Sequence, residues 1–177
     1  MNLKLKLSPA IYLVGFMGCG KSSVGRALAE ELGWCFIDLD EDIEKCAGAA
    51  VAHIFDARGE ANFRALETEA LKKRVQIARS GQPQVISLGG GAFTVEENIE
   101  LVLNHGVTVW LDAPFNLIER RIAEETHRPL ARDPVHMKNL FEQRRAAYAL
   151  ADYRIETGDD DLAAIVSRIL ALPLFTP

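Results

Sequence analysis

The sequence predicts an α/β protein in which a parallel sheet carries helices on both faces, giving three layers. Short apolar runs alternate along the chain with longer stretches of helical periodicity. The first apolar run, residues 10–14, leads directly into the glycine-rich stretch 15–22, which reads GFMGCGKS. A helical pattern follows at once. A strand, a glycine loop and a helix in this order form the context in which G-x-x-x-x-G-K-[ST] binds a nucleotide phosphate.

This glycine-rich stretch supplies the groups that a phosphate requires. Glycine permits tight turns, and the backbone N–H groups and the helix N-terminus point toward an anion. Lys21 can reach the β- and γ-phosphates, and the hydroxyl of Ser22 can bind Mg²⁺. We therefore expect ATP with Mg²⁺ as cofactor. The expected ATP-binding residues of the loop are Gly15, Gly18, Cys19, Gly20, Lys21, Ser22 and Ser23.

Composition sets limits on the protein class. A chain of 177 residues predicts one domain, 1–177. The net charge of −5 argues against a nucleic-acid partner. The N-terminus alternates lysine and leucine, so we expect no signal peptide, and no apolar run approaches the ~20 residues of a membrane span. Three cysteines without a C-x-x-C pair predict a cytoplasmic protein. We also expect a monomer and no membrane partner.

Two carboxylates follow the second predicted strand. After a helix that stops at Gly33, the apolar stretch 34–40 ends in Asp38 and Asp40. Residues i and i+2 share one face of a strand, so both side chains are expected to point into the ligand crevice. The alternative is that they are solvated acids capping the next helix, 41–46.

A long amphipathic helix is predicted from residue 60 to about residue 79. Arg64 and Glu67 are three positions apart on it and can form an ion pair. The sequence does not decide whether Arg64 is functional or a solvated surface charge. The third predicted strand, 85–88, ends at Gly89, Gly90 and Gly91, where bare backbone suits a closely approaching ligand. A tight turn is the alternative.

The second half of the chain continues the alternation. Thr94 to Glu97 match a capping box for a helix to about residue 104, and 107–111 is the fourth strand. A helix over 116–125 carries Arg120 and Arg121. The stretch 126–136 has two prolines and no periodicity, and its length is typical of a mobile lid. A helix over 137–150, a short strand at 153–155 and a final helix from Asp160 or Asp161 complete the chain.

These features together favour phosphoryl transfer. Three strand ends carry ligand-facing groups, and arginines can stabilise the charge that spreads over the transferred phosphoryl group. A carboxylate can orient an acceptor hydroxyl and take its proton. The residues themselves do not identify the acceptor.

The ordered motifs resemble the shikimate kinase family along nearly the whole chain. The motifs are Gly15 to Ser22, Phe36-Ile37-Asp38-Leu39-Asp40, Phe63-Arg64, Gly89-Gly90-Gly91-Ala92, Arg128-Pro129-Leu130, and Arg144 four residues before Tyr148. The resemblance implies a nucleoside-monophosphate-kinase-like fold with five parallel strands in the order 2-3-1-4-5. It also implies that ATP phosphorylates the 3-hydroxyl of shikimate, giving shikimate 3-phosphate on the route to aromatic amino acids.

The resemblance also implies residue roles. Lys21, Asp40 and Arg128 would be catalytic, with Asp40 binding the acceptor hydroxyl as a base and Arg128 contacting the phosphate from the lid. Asp38 would hold Mg²⁺ through water, together with Ser22. The residues expected to bind shikimate are Asp40, Arg64, Gly89, Gly90, Gly91 and Arg144. Arg121 and Arg128 would contact the nucleotide, Glu67 would support Arg64 or Arg144, and a segment of about 41–75 would bind substrate.

The chain departs from the family pattern at the loop before the last helix. Residues 157–161 are acidic there, whereas family members often place a basic residue, so the adenine pocket stays unassigned. Arg132 is expected to be solvated. Two other functions remain open: another small-molecule kinase such as a gluconate kinase, and a nucleotide-binding regulatory protein without catalysis.

Overall fold

A computed structural model describes residues 3–124, 133–158 and 161–175 of the chain. Five strands form one parallel sheet: β1 Ala10–Val14, β2 Cys35–Asp38, β3 Gln84–Ser87, β4 Val107–Asp112 and β5 Tyr153–Glu156. Their order in the sheet is β2-β3-β1-β4-β5, so the predicted order 2-3-1-4-5 is confirmed. The central strand β1 pairs with β3 on one side and with β4 on the other. The glycine-rich loop therefore leaves the middle of the sheet.

Eight helices connect and cover the strands within the described residues. They are α1 Leu3–Leu7, α2 Lys21–Leu32, α3 Leu39–Ala47, α4 Val51–Arg79, α5 Glu96–His105, α6 Phe115–Glu124, α7 Pro134–Tyr148 and α8 Leu162–Leu170. A 3-10 turn, Ala92–Thr94, precedes α5. No helix in the described ranges is long and apolar enough to span a membrane.

Packing on β1 shows that helices cover both faces of the sheet. Leu13 and Tyr12 are neighbours on this strand, so their side chains point to opposite faces. Leu13 packs under Gly25 of α2, whereas the ring of Tyr12 packs under Gly106 at the end of α5. All five residues of β1 are buried, and they form the centre of the core. The expected three layers are thus present.

Helix α4 differs from the predicted one because it begins nine residues earlier. The predicted start at residue 60 follows Gly59, whose φ of 79° and ψ of 166° break the helical path. A further helical segment, beginning at Val51, precedes this break. Val51, Ile54 and Phe55 of this segment have helical spacing and pack on the core. The segment is only about two turns long, so its periodicity did not reveal it.

Two other local predictions were wrong. The capping box at Thr94 does not form, because the Thr94 hydroxyl donates to the carbonyl of Gly91 and α5 is capped at Val95 without a side-chain bond. The last part of the predicted lid, 134–136, is the first turn of α7, with Asp133 accepting a hydrogen bond from the backbone N–H of His136. Residues 126–132 of the predicted lid, including Arg128 and Arg132, lie outside the described residues.

We predict that Gly25→Ala destabilises the protein, although alanine is the better helix former by about 1 kcal/mol. A Cβ built on Gly25 would lie 3.0 Å from Cδ2 of Phe36 and 3.2 Å from Cδ1 of Leu13. Such overpacking between helix and sheet costs about 1–3 kcal/mol. Urea denaturation measures the loss. Glu31→Ala, at an exposed site of the same helix, is the control. A Gly25→Ala protein as stable as wild type would contradict this account.

Candidate active site

The phosphate-binding loop begins where β1 ends. Gly15, Gly18 and Gly20 have φ values of 143°, 74° and 100°, a region that residues with a Cβ rarely adopt. A Cβ on Gly15 would also lie 2.7 Å from the carbonyl oxygen of Leu111 on the neighbouring strand. The loop can therefore take this path only with glycine, and it delivers Lys21 as the first residue of α2.

Lys21 is held back over the loop that precedes it. Its Nζ donates to the carbonyl oxygens of Gly15, at 2.9 Å, and Phe16, at 3.0 Å. Only 9% of this residue is exposed. The ammonium group is therefore fixed at the N-terminus of α2, where the helix dipole also favours an anion.

Ser22 and Asp38 meet at the mouth of the same loop. The Ser22 hydroxyl donates to Oδ2 of Asp38 at 2.7 Å, while Oδ1 of Asp38 accepts the backbone N–H groups of Asp40 and Glu41. A hydroxyl and a carboxylate are oxygen ligands of the kind that Mg²⁺ prefers beside nucleotide phosphates. This donor set therefore fits Mg²⁺. The described residues contain no cluster of three acidic, histidine or cysteine side chains that could enclose a metal alone.

The predicted reason why Asp38 and Asp40 converge was wrong, although both line one cavity. The strand ends at Asp38, which caps α3, and Asp40 already lies in the first turn of that helix. The alternative interpretation as a cap therefore holds for Asp38. A helix start following directly on a strand end brings the two carboxylates to one edge of the sheet.

Asp40 occupies an electrostatically unusual position. Its Oδ1 is buried and has no hydrogen-bond partner among the described residues. Burial raises the pKa of this carboxyl above its ordinary value, and the nearby charge of Asp38 raises it further, while Lys21 and Arg64 oppose the shift. An unpartnered carboxylate with a raised pKa is suited to accept a proton from a hydroxyl.

The triple glycine brings charged side chains against bare backbone. A Cβ on Gly89 would lie 2.7 Å from Oδ1 of Asp40 and 2.9 Å from Oε1 of Glu67. A Cβ on Gly91 would lie 2.7 Å from the guanidinium carbon of Arg64. The three glycines are thus needed for close approach.

Arg64 is paired rather than solvated. It donates to Glu67 at 2.8 Å and to Glu60 at 3.2 Å, and its guanidinium lies 5.4 Å from the ring centre of Phe63. The predicted pair of Arg64 and Glu67 is therefore present. Burial raises the pKa of Glu67, and the charge of Arg64 opposes this shift.

Arg144 lies on the other side of the triple glycine. A Cβ on Gly90 would lie 3.3 Å from Nη1 of Arg144, and the guanidinium lies 5.7 Å from the ring centre of Phe16. Tyr148, one turn later on α7, donates its hydroxyl to the carbonyl of Gly90. Two arginines from different helices thus flank one glycine segment, an arrangement that suits a carboxylate.

A cavity of about 770 Å³ joins most of the predicted groups. Its lining includes the predicted residues Gly18, Cys19, Gly20, Lys21, Ser22, Ser23, Asp38, Asp40, Gly89, Gly90 and Arg121. Gly15, Gly91, Arg64 and Arg144 are not among the lining residues, and Arg128 lies outside the described ranges.

Sequence reasoning missed several lining residues: Met17, Val24, Ser87, Leu88, Leu162 and Ile165. Leu162 and Ile165 come from α8 and share the cavity with Arg121, whose Nη1 donates to the carbonyl of Gly18 at 3.3 Å. Their helical spacing indicated only a core face. Both residues line the cavity, and 38% of Leu162 is exposed, so the first turn of α8 contributes apolar surface to the cavity as well as to the core.

A five-stranded parallel sheet with this loop after its central strand defines the class of P-loop kinases. The family model for shikimate kinase matches residues 17–172. A shikimate kinase of Persephonella marina is 41% identical over 161 residues, which cover 90% of this chain and 96% of that protein. The chain therefore belongs to the shikimate kinase family.

Solved structures agree with this assignment. The structure of shikimate kinase from Acinetobacter baumannii in complex with shikimate is 37% identical, with a TM-score of 0.86 over 96% of this chain and 95% of that one. A gluconokinase from Sinorhizobium meliloti is 23% identical with a TM-score of 0.58, covering 93% and 91% of the two chains. The second similarity shows the shared fold alone, so the gluconate kinase alternative is not favoured.

We predict that Asp40→Asn raises the melting temperature at neutral pH. A carboxyl whose folded pKa is raised binds its proton more tightly in the folded state, so it contributes stability at low pH that is lost as pH rises through the folded pKa. Asparagine carries no charge, so the variant avoids the cost of a buried ionised carboxylate at neutral pH. The gain in melting temperature over the wild type should shrink as pH falls through the raised pKa of Asp40. Thermal denaturation across pH measures the difference.

Asp42→Asn on the same helix is the control for this prediction. Asp42 forms an ion pair with Arg74, so its replacement should lower the melting temperature. An Asp40→Asn protein that is less stable than wild type at neutral pH, or whose advantage does not change with pH, would contradict the electrostatic account.

Proposed function

We propose that this protein transfers the γ-phosphoryl group of ATP to the 3-hydroxyl of shikimate, giving shikimate 3-phosphate and ADP. The single observation that carries the proposal is the position of Asp40. Its buried, unpartnered oxygen lies against Gly89, in the same cavity as the phosphate-binding loop and Lys21. An acceptor hydroxyl placed between Asp40 and the phosphate-binding loop could lose its proton to Asp40 and attack the phosphoryl group.

The donor side consists of the glycine-rich loop and its lysine. In our proposal, backbone N–H groups of residues 15–20 hold the β-phosphate, and Lys21 exchanges its carbonyl partners for phosphate oxygens. Arg121, which already contacts Gly18, would lie beside the nucleotide. Such fixed cations stabilise the charge that spreads over the transferred group. Arg128 would add a further cation from the lid.

Ser22 and Asp38 are the residues that we propose for Mg²⁺, directly through the hydroxyl and through water for the carboxylate. When bound, the ion neutralises charge on the β- and γ-phosphates. The bond between Ser22 and Asp38 keeps both oxygens at one point of the cavity mouth.

The acceptor side is built for an anion with hydroxyl groups. Arg64 and Arg144 would hold the substrate carboxylate, and the backbone of Gly89 to Gly91 would lie against the ring. A solved relative is a complex with shikimate, which supports shikimate as the ligand. Glu67 keeps Arg64 in place. Segments 41–75 and 126–136 would close over the substrates and exclude water.

We also propose that the enzyme acts as a monomer in the cytoplasm. All three cysteines are free thiols, which supports a reducing compartment. The net charge of −5 is consistent with small-molecule substrates rather than nucleic acid.

The acceptor is tested by measuring ADP release with shikimate, gluconate and a nucleoside monophosphate in parallel. We expect turnover only with shikimate. A nucleoside monophosphate lacks the carboxylate that Arg64 and Arg144 would hold, and gluconate, although a carboxylate, presents a different pattern of hydroxyls to Asp40. Asp40→Asn should retain affinity for ATP but lose turnover. Turnover with gluconate and none with shikimate would overturn the proposal, and nucleotide binding without any turnover would favour a regulatory protein.

The metal site is tested with Ser22→Ala and Ser23→Ala. We expect Ser22→Ala to raise the Mg²⁺ concentration for half-maximal rate about tenfold or more, because a lost ligand or its support typically costs that much. Ser23 lines the same cavity but does not contact Asp38. Because Ser23 is expected to bind ATP, its variant should weaken ATP binding but keep the wild-type Mg²⁺ dependence at saturating ATP. Equal Mg²⁺ requirements in both variants would remove Ser22 from the metal site.

A further inference from the structure

Beside the active site, Asp112 forms a polar anchor at the end of β4. Its carboxylate accepts two hydrogen bonds from Arg145 of α7, at 2.6 and 3.0 Å, and one from Nε of Arg154 of β5, at 2.9 Å. Only 7% of the Asp112 side chain is exposed. Its backbone is fixed in the sheet, because it pairs with Glu156 and accepts a bond from Thr157. The backbone of Asp112 therefore gives Arg145 and Arg154 a rigid point of attachment on the sheet.

The two arginines of this anchor stack on one aromatic ring. The guanidinium groups of Arg145 and Arg154 each lie 5.0 Å from the ring centre of Trp110. Trp110 in turn lies 6.1 Å from the ring of Tyr148, whose hydroxyl donates to the carbonyl of Gly90. A continuous set of contacts thus leads from Asp112 to the glycine segment of the substrate site.

Arg145 is the immediate neighbour of Arg144. Successive residues of an α-helix are rotated by about 100°, so a helix that holds Arg145 at β4 has a fixed rotation and presents Arg144 in one direction. The buried residues of this helix are Met137, Phe141 and Tyr148. Phe141 contacts Phe16 and Phe115 through its ring. Tyr148 holds the helix at Gly90, and the pair of Arg145 and Asp112 holds it at a second point, the end of β4. Aromatic contacts tolerate small rotations, whereas a two-bond guanidinium–carboxylate pair does not.

We propose that the pair of Asp112 and Arg145 is a positioning device that sets the rotation of α7 and thereby places Arg144 against Gly90. Asp112 and Arg145 themselves need not touch substrate. The inference rests on the proposed function, in which Arg144 binds the carboxylate of shikimate. It adds two residues that sequence reasoning did not assign to the site.

The two partners of Asp112 provide a matched comparison. Arg145→Gln and Arg154→Gln each remove one cation from the same carboxylate and from the ring of Trp110, and each leaves the other arginine in place. Neither variant leaves Asp112 buried without a cation, so both should fold with similar losses of stability. Only Arg145 lies on the helix that carries Arg144.

We expect Arg145→Gln to raise KM for shikimate about tenfold, equivalent to about 1.4 kcal/mol, while KM for ATP stays within about twofold. Arg154→Gln should leave both constants near wild type. Arg145→Lys keeps the charge but not the two-bond geometry, so it should restore only part of the affinity. In an Asp112→Asn background, the further change Arg145→Gln should raise KM for shikimate little. Equal effects of the Arg145 and Arg154 variants on KM would overturn the inference.

A crystal structure of the Arg145→Gln variant separates this inference from the proposed function. We expect the Arg144 guanidinium to leave its position against Gly90, whatever the substrate of the enzyme. An Arg144 that does not move in this variant would refute the positioning role. Absence of shikimate turnover in the wild type would refute the proposed function and leave this structural outcome to decide the role of Arg145.

Discussion

The site depends on the lack of side chains at Gly89, Gly90 and Gly91. Each glycine lies against a charged group of another element: Gly89 against Asp40 and Glu67, Gly90 against Arg144, Gly91 against Arg64. A Cβ on Gly89 or Gly91 would push these groups away from the end of β3, and a Cβ on Gly90 would crowd Arg144. The negative and positive charges of the acceptor side can thus come together only because the backbone between them is bare. The rest of the site is arranged around this segment.

Charge balance explains why such a crowded site is stable. Glu67 is almost fully buried, and Arg64 supplies its partner at 2.8 Å, so the pair replaces much of the water that both ions lost. Asp40 has no such bond at Oδ1, and its raised pKa reflects that cost. Glu67 shares this cost in part, because its Oε1 is also buried without a hydrogen bond among the described residues and its pKa is also raised. Of these two carboxylates, Asp40 lines the cavity, where the proposed chemistry needs a base.

Much of the fold could be predicted from the sequence because its signals are local. Apolar runs located all five strands, and the glycine-rich loop between β1 and α2 located the phosphate site. The segment 51–58 was missed because it is only about two turns long, too short for its apolar spacing to reveal a helix. The helix cap at Asp38 was mistaken for a continued strand. Packing of Ile54 in the core supports the first structure. A local cap, in which Asp38 accepts hydrogen bonds from the backbone N–H groups of Asp40 and Glu41, sets the second.

The site shows a similar division between what is local and what is not. Lys21 and Ser22 could be placed from one motif, whereas Asp112 could not, because its partners Arg145 and Arg154 lie more than thirty residues away in the sequence. The adjacent residues Arg144 and Arg145 illustrate the limit. Both are arginines, yet the rotation of α7 places Arg144 against Gly90 and Arg145 at the end of β4. The two adjacent arginines therefore differ in their contacts only because of how α7 packs on the sheet.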